Sequence, residues 1–87
     1  MENPGEIAKI LIIDDSRFVR LANQRAPTHS GHHTISSEDG ELGLEIARER
    51  HPDVILLDMM LPKLSGPDVL RALKRDARNL VSAWIAN

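Results

Sequence analysis

The chain contains no cysteine and no tyrosine, and aromatic residues make up only 2% of its 87 positions. Without cysteine it has neither a disulfide framework nor a thiolate metal site, which fits a reducing compartment. No apolar run approaches the roughly 18 residues that a membrane-spanning helix needs, and residues 1–6 are polar where a secretory leader is basic and then apolar. We therefore expect a cytoplasmic protein that does not insert into a membrane.

Positive charge is not in excess either. The chain has 11 Lys and Arg against 13 Asp and Glu, a formal net charge of -2 and a pI of about 6.0. Proteins that bind nucleic acid neutralise many phosphates with lysine and arginine, so direct nucleic-acid binding is disfavoured. The length allows one small domain, 1–87, with a core small enough to make its stability marginal.

Two short runs, 10–13 and 54–57, are continuously apolar and rich in β-branched residues. That pattern is typical of strands buried on both faces of a parallel sheet that helices cover. Each run ends in acid, with Asp14 and Asp15 after the first and Asp58 after the second. Because ligands bind at the carboxyl edge of open α/β sheets, we expect the three carboxylates to converge there.

Helical spacing follows the first of these runs. A first helix is predicted over 16–26, with Ser16 as its N-cap and Pro27 as its end. The positions that repeat at spacings of three and four are Phe18, Leu21, Ala22 and Arg25. A short strand around 33–37 is placed by elimination between this helix and the next.

A second helix is predicted over 41–50, with Asp39 as its cap and Pro52 forcing its exit. Its apolar stripe consists of Leu42, Ile46 and Ala47. After the second apolar strand, Ser65 and Asp68 have the spacing of a capping box at the start of a third helix. The predicted order is therefore βαβαβα, an α/β fold with a parallel sheet and flanking helices.

The three strand-end carboxylates repel one another unless a cation neutralises them or one carries a proton. Mg²⁺ prefers oxygen ligands and is typically held by one or two carboxylates together with phosphate oxygens. An aspartate beside such an ion can attack phosphorus and form an acyl phosphate. Any one of the three, taken alone, is better read as a strand-end acid that caps the following helix. Three together favour a cation site.

Several segments resemble the receiver domain of the bacterial two-component response regulators. They are 9–16 at the first strand, 38–40 before the second helix, and 52–62 running on to Gly66, and the likeness covers 8–76. The resemblance implies a partial flavodoxin-like sheet of strand order 2-1-3-4-5, in which the first and third strands are neighbours.

Carried over position by position, the resemblance implies that Asp58 is the phosphoacceptor and that Asp14 and Asp15 hold Mg²⁺ beside it. The backbone carbonyl of Met60 would be a further ligand of the ion. The implied partner is a histidine kinase or a phosphotransfer protein. The domain would then be a substrate of that kinase and not an enzyme, apart from slow self-dephosphorylation.

The chain departs from the family because it runs out after about three of the family's five βα units. A receiver ends its fourth strand in Ser or Thr and its fifth in Lys, and no residue here matches that Lys. Lys63 follows Asp58 in the next loop, where a solvated lysine is the favoured interpretation.

Residues 79–87 have two interpretations. As a fourth strand, they put Ile85 where the family has its hydroxyl. As a continuation of the third helix, they complete an apolar seam with spacings of three and four, which favours the helix. The seam is Leu70, Leu73, Ala77, Leu80 and Trp84.

The missing units should leave one sheet edge and part of both sheet faces uncovered, which invites pairing with another chain. We therefore expect either a homodimer, with or without exchange of elements, or a fragment that folds only with help from another chain. We assign no zinc to His29, His32 and His33, because a solvated loop explains them better.

Two other functions stay open beside the phosphoacceptor. A pseudo-receiver would keep the fold's surface for protein binding and no longer switch, which fits the missing Lys and hydroxyl. An aspartate-nucleophile phosphatase ranks last, since it usually needs a second Asp two residues after Asp58, where Met60 stands.

Overall fold

The computed structural model describes residues 7–61, 65–75 and 84–86, the last of these by their backbone. Strands and helices alternate along the chain, as the apolar patterns predict. The elements are β1 (Lys9–Ile13), α1 (Arg17–His29), β2 (His33–Ser37), α2 (Gly40–Arg50), β3 (Val54–Leu57), α3 (Gly66–Arg75) and β4 (Trp84–Ala86).

The strands form one parallel sheet of order β2-β1-β3-β4. The expectation that the first and third strands are neighbours is confirmed, with Ile13 of β1 paired with Leu57 of β3. This register places the residues after the two strands, Asp14 and Asp58, side by side at the carboxyl edge.

The sheet is buried on both faces where β1 runs through it. Leu11, Ile13 and Ile55 have no exposed surface and pack with α2 and α3. Side chains alternate between the faces of a strand, so Ile12, which is 1% exposed, points to the opposite face, where α1 lies. The continuous apolar runs therefore predict the central strands correctly.

The predicted helix caps are confirmed. Asp39 accepts a hydrogen bond from the Leu42 amide at 2.8 Å. The Ser65 hydroxyl donates to the Asp68 carboxylate at 2.9 Å and accepts from the Asp68 amide at 3.3 Å. The exit from α2 is a left-handed residue, His51, with φ of 47°.

The prediction that Pro27 ends the first helix is wrong, because α1 continues to His29. The amide of Ser30 donates to the Ala26 carbonyl at 3.0 Å and closes the last turn. Gly31 then takes a positive φ of 89° and turns the chain toward β2. Pro27 has no amide to donate to the Asn23 carbonyl, and the helix ends two residues later.

The predicted stripe of α1 faces solvent, with Phe18 81% exposed and Leu21 51% exposed. The half-buried positions are rotated by one residue and are Val19, Arg20, Asn23, Gln24 and Pro27. The Ser16 cap and a bond from Arg20 to the end of β1 orient the helix. Polar contacts at the strand end therefore outweigh the apolar pattern.

The predicted stripe of α2 is also partly wrong. Leu42 is exposed, whereas Gly43, Leu44 and Ala47 are buried. A Cβ on Gly43 would lie 2.5 Å from Ile13 Cδ1, so the glycine lets this face of the helix approach β1 closely.

The helical interpretation is wrong at 84–86, because Trp84 belongs to β4, which pairs with β3 in parallel. Strand pairing gives hydrogen-bond partners to the backbone groups along the outer edge of β3, which a helix would leave unpaired. The strand interpretation agrees with β4, and the equivalence of Ile85 with the family's hydroxyl stays a prediction. Ile85 pairs with Leu56, so it lies two residues short of the level of Asp58.

Residues 79–83 and Asn87 lie outside the described residues, and so does Lys63. Within the ranges that the structure describes, no helix is long and apolar enough to cross a bilayer.

Candidate functional site

The backbone fixes two acids at the carboxyl edge of the sheet. The amide of Asp14 donates to the Ser37 carbonyl of β2 at 3.1 Å. The amide of Asp58 donates to the Ile13 carbonyl of β1 at 2.9 Å. Because these bonds extend the parallel ladder one residue past each strand, the two acids are held as firmly as the strands themselves.

All three predicted acids meet at this edge. Carboxylate oxygens of Asp14, Asp15 and Asp58 lie within 4.8 Å of one another. Asp14 is 5% exposed and Asp58 9% exposed, while Asp15 is open to solvent. Removing carboxylates from water beside one another is costly unless hydrogen bonds and a cation compensate them.

Two matching turns orient the buried carboxylates. Asp14 Oδ1 accepts the amide of Ser16 at 2.9 Å, and Asp58 Oδ1 accepts the amide of Met60 at 2.9 Å. Each acid thus bonds to the backbone two residues later, as Asp commonly does at turns. The second oxygen of each carboxylate, Oδ2, takes no part in these two hydrogen bonds.

The donor set suits Mg²⁺. Two oxygens on opposite sides of the ion lie about 4.2 Å apart, since each Mg–O distance is about 2.1 Å. Only one pair among three ligands can lie on opposite sides, and neighbouring oxygens lie about 3.0 Å apart, so the three carboxylate oxygens, which lie within 4.8 Å of one another, have to draw closer around the ion. Hard oxygen donors without sulfur or imidazole favour Mg²⁺ over softer transition metals.

The remaining predicted positions are less fully defined. The Met60 side chain is 80% exposed and its amide serves the Asp58 turn, while its carbonyl as a metal ligand stays a prediction. Lys63 lies outside the described residues, so its expected solvation is untested.

A cavity of about 330 Å³ opens beside Asp14 and Asp58. Its other walls are Ile12, Val19, Asn23, Leu56 and Leu57, from β1, α1 and β3. A water molecule takes up about 30 Å³ in the liquid, so the cavity has room for a hydrated cation and a phosphoryl group. The site is therefore a pair of nearly buried carboxylates that line a cleft with both polar and apolar walls.

Sequence reasoning missed two residues of α1 that lie at the site. Arg20 donates from Nη1 to the backbone carbonyl of Asp14 at 2.7 Å, and Asn23 lines the cavity. Side chains on a helix lean toward its N-terminus, so a long side chain six residues after Asp14 can reach back to the strand end. That spacing allows the contact, but it does not fix the rotation of α1 on which the contact depends, so the sequence alone does not single out Arg20.

Other polar clusters of the sequence have structural contacts. His32 Nδ1 accepts the amide of Ala8 at 2.9 Å, next to the start of β1. On α3, Arg71 pairs with Asp68. The Ser65 hydroxyl, and then Arg71, hold the pKa of Asp68 below its usual 3.8.

Comparison with known proteins identifies relatives of this chain. The profile of the response regulator receiver domain matches residues 10–85. The transcriptional regulatory protein AfsQ1 of Streptomyces coelicolor is 39% identical over 66 residues, which cover 76% of this chain and 29% of that protein. The alkaline phosphatase synthesis transcriptional regulatory protein PhoP of Bacillus subtilis is 40% identical over 67 residues, which cover 77% of this chain and 28% of that protein.

Solved receiver structures show the same fold. The chemotaxis protein CheY4 of Vibrio cholerae matches with a TM-score of 0.82 at 24% identity, over 90% of this chain and 66% of that one. The receiver domain of the Francisella response regulator 1452 matches with a TM-score of 0.81 at 25% identity, over 91% of this chain and 65% of that one. The chain thus spans about two thirds of these solved chains and under a third of the two regulators.

Proposed function

The chain belongs to the response regulator receiver domain family, and on that premise we propose that it accepts a phosphoryl group on Asp58. The donor is the phosphohistidine of a histidine kinase or of a phosphotransfer protein. The groups that we assign to Mg²⁺ are the carboxylates of Asp14, Asp15 and Asp58 and the carbonyl of Met60. In this role the chain is a substrate of the kinase and not itself an enzyme.

One observation carries the proposal. Asp58 directly follows β3 and is 9% exposed, and its carboxylate lies within 4.8 Å of two further carboxylates at the mouth of a cavity. A lone strand-end acid would be adequately explained as a helix cap. Asp58 does not cap the next helix, because Ser65 does so. Its position therefore supports a chemical role better than a capping role.

The proposed step moves the phosphoryl group from nitrogen to oxygen. The Met60 amide holds Asp58 Oδ1, which leaves Oδ2 to attack phosphorus. As the new O–P bond forms, the N–P bond to the donor imidazole breaks, and the imidazole nitrogen keeps the electron pair and takes a proton from solvent. Asp58 is left as an acyl phosphate. Mg²⁺, when bound, neutralises charge on the phosphoryl oxygens.

The apolar walls of the cavity support this chemistry. Ile12 and Leu56, whose side chains offer water no hydrogen bond, line the cavity together with Asp58. Electrostatic stabilisation by fixed groups is stronger in such a partly dry site than in bulk water. Fewer water molecules beside the acyl phosphate should also slow its hydrolysis.

Intact-mass spectrometry tests the proposal. The full chain is incubated with acetyl phosphate, with and without Mg²⁺, beside the variants Asp58→Asn and Glu49→Gln. Glu49 is an exposed acid on α2, so its variant controls for the loss of one negative charge. We expect a single phosphate adduct on the wild type and on Glu49→Gln in Mg²⁺, and none on Asp58→Asn.

An adduct on Asp58→Asn equal to that of the wild type would overturn the assignment of the acceptor. A wild-type chain that is folded and binds Mg²⁺ but takes no phosphate would overturn the phosphoacceptor function, and a protein-interaction role would replace it.

A further inference from the structure

Arg20 is the fourth residue of α1 and is half-buried against the end of β1. Its Nη1 donates to the backbone carbonyl of Asp14 at 2.7 Å. Its own amide donates to the Ser16 carbonyl at 2.9 Å in the first turn of the helix. The side chain therefore ties the helix to the strand that it follows.

The carbonyl of Asp14 needs such a donor. Asp14 lies one residue past β1 and is 5% exposed, and a buried carbonyl without a partner is costly. With the Arg20 bond in place, Asp14 is held at three atoms. Its amide donates to Ser37, its Oδ1 accepts from Ser16, and its carbonyl accepts from Arg20.

The carbonyl of Asp14 belongs to the peptide group that joins it to Asp15. With the Asp14 amide already bound to Ser37, holding that peptide plane restricts ψ of Asp14 and the position from which Asp15 continues the chain. The Arg20 guanidinium therefore contributes to the relative placement of two of the three carboxylates that meet within 4.8 Å.

We infer that Arg20 is a positioning residue for the acidic pair, holding Asp14 and Asp15 where both can bind Mg²⁺. This inference rests on the metal site of the proposed function. Residues behind a metal ligand commonly affect metal affinity about 10–100-fold.

A positioning role and a purely electrostatic role of Arg20 predict opposite changes in Mg²⁺ affinity when Arg20 is removed. If Arg20 acts only as a nearby positive charge, it repels Mg²⁺, and removing it should tighten binding. If Arg20 positions the acids, removing it should weaken binding despite the relief of that repulsion.

The test is Mg²⁺ titration of the full chain by isothermal calorimetry. The variant Arg20→Met keeps much of the aliphatic stem and loses the donors, and Arg20→Lys keeps the charge on a shorter side chain with a single donor group. Arg25→Met removes an exposed arginine of the same helix and is the matched control. A thermal melt without Mg²⁺ verifies that each variant is folded.

We expect Arg20→Met to raise the Mg²⁺ dissociation constant about tenfold. Arg20→Lys should raise it about threefold, and Arg25→Met should leave it unchanged. An unchanged or lower constant for Arg20→Met overturns the inference. If Arg20→Met does not fold, the test rests on Arg20→Lys. A wild-type Mg²⁺ dissociation constant for Arg20→Lys then overturns the inference.

Failure of the proposed function has a different signature. A wild-type chain that binds Mg²⁺ but takes no phosphate from acetyl phosphate overturns the phosphoacceptor role and leaves the Arg20 result standing. A wild-type chain that binds no Mg²⁺ overturns both.

Discussion

At the scale of single residues, a glycine packs directly against the backbone of the candidate acceptor. A Cβ on Gly66, the first residue of α3, would clash with Met59 Cα and would lie 2.7 Å from the Asp58 carbonyl oxygen. Both neighbours are backbone atoms, which cannot rotate away as a side chain can. Gly66 therefore lets α3 begin directly against the peptide that carries the acceptor.

We predict that Gly66→Ala lowers the free energy of unfolding by about 1–3 kcal/mol, the usual cost of overpacking. Urea unfolding measures the change. The control is Gly43→Ala, where the nearest neighbours of the new methyl are side-chain atoms of Ile13. The change from glycine to alanine also favours the helix by up to about 1 kcal/mol. Gly43→Ala should therefore cost less. Equal costs for the two variants would contradict the backbone argument.

Residue chemistry explains why the acids could be predicted from sequence and Arg20 could not. Asp14, Asp15 and Asp58 directly follow apolar runs, so strand order alone brings them together. The contact of Arg20 depends on how α1 is rotated about its axis. The apolar pattern predicts the wrong rotation, so the contact became visible only in the structure.

At the scale of elements, the capping box of α3 predicts a pH effect. Asp68 accepts from the Ser65 hydroxyl and pairs with Arg71, and both lower its pKa below 3.8. Because this pKa is lower in the folded than in the unfolded chain, ionised Asp68 adds stability at neutral pH that is lost as the pH falls through the folded value.

We predict that Ser65→Ala raises the pKa of Asp68 toward 3.8, because the Ser65 hydrogen bond is the largest cause of the shift. NMR titration of the Asp68 carboxyl carbon measures it. Arg71→Met should produce a smaller rise. A Ser65→Ala variant with the wild-type titration would show that the box does not form.

The last turn of α1 offers a second element-scale prediction. Pro27 lies inside the helix and has no amide to donate to the Asn23 carbonyl. We expect Pro27→Ala to raise the free energy of unfolding by about 1–2 kcal/mol, since the regained hydrogen bond outweighs the greater freedom of the unfolded chain. Urea unfolding measures it, with Gln24→Ala of the same helix as control. A lower stability would indicate that the proline ring itself is needed.

Some elements are specified by local sequence signals, and others by a partner that is distant in sequence. Buried strands and caps could be predicted, because a continuous apolar run or a Ser65–Asp68 spacing is local. The strand Trp84–Ala86 could not, because its spacing from α3 also fits a helical seam. Only the pairing partner, the edge of β3, distinguishes the two, and that partner lies far away in sequence.

At the scale of the whole molecule, the two faces of the sheet are unequally covered. The face under α2 and α3 holds the core cluster, whereas α1 has no fully buried residue. Phe18 and Leu21 of α1 are exposed on that second face. A phenylalanine left in water forgoes about 1.5–3 kcal/mol of burial energy.

We therefore predict that a second copy of the chain covers α1, so that the mass from light scattering rises with concentration toward that of a dimer. Phe18→Glu should keep the chain monomeric, while Leu42→Glu, at an exposed site on α2, should not. A monomer mass for the wild type at every concentration would refute the dimer.

The central claim is that Asp58 carries the phosphoryl group, and the most direct test is to locate the modified residue. After acetyl phosphate and Mg²⁺ treatment, borohydride reduces an aspartyl acyl phosphate to homoserine, and peptide mass spectrometry identifies the changed position. We predict homoserine at position 58 and unchanged Asp14 and Asp15. Homoserine at either of those positions instead, with Asp58 intact, would contradict it.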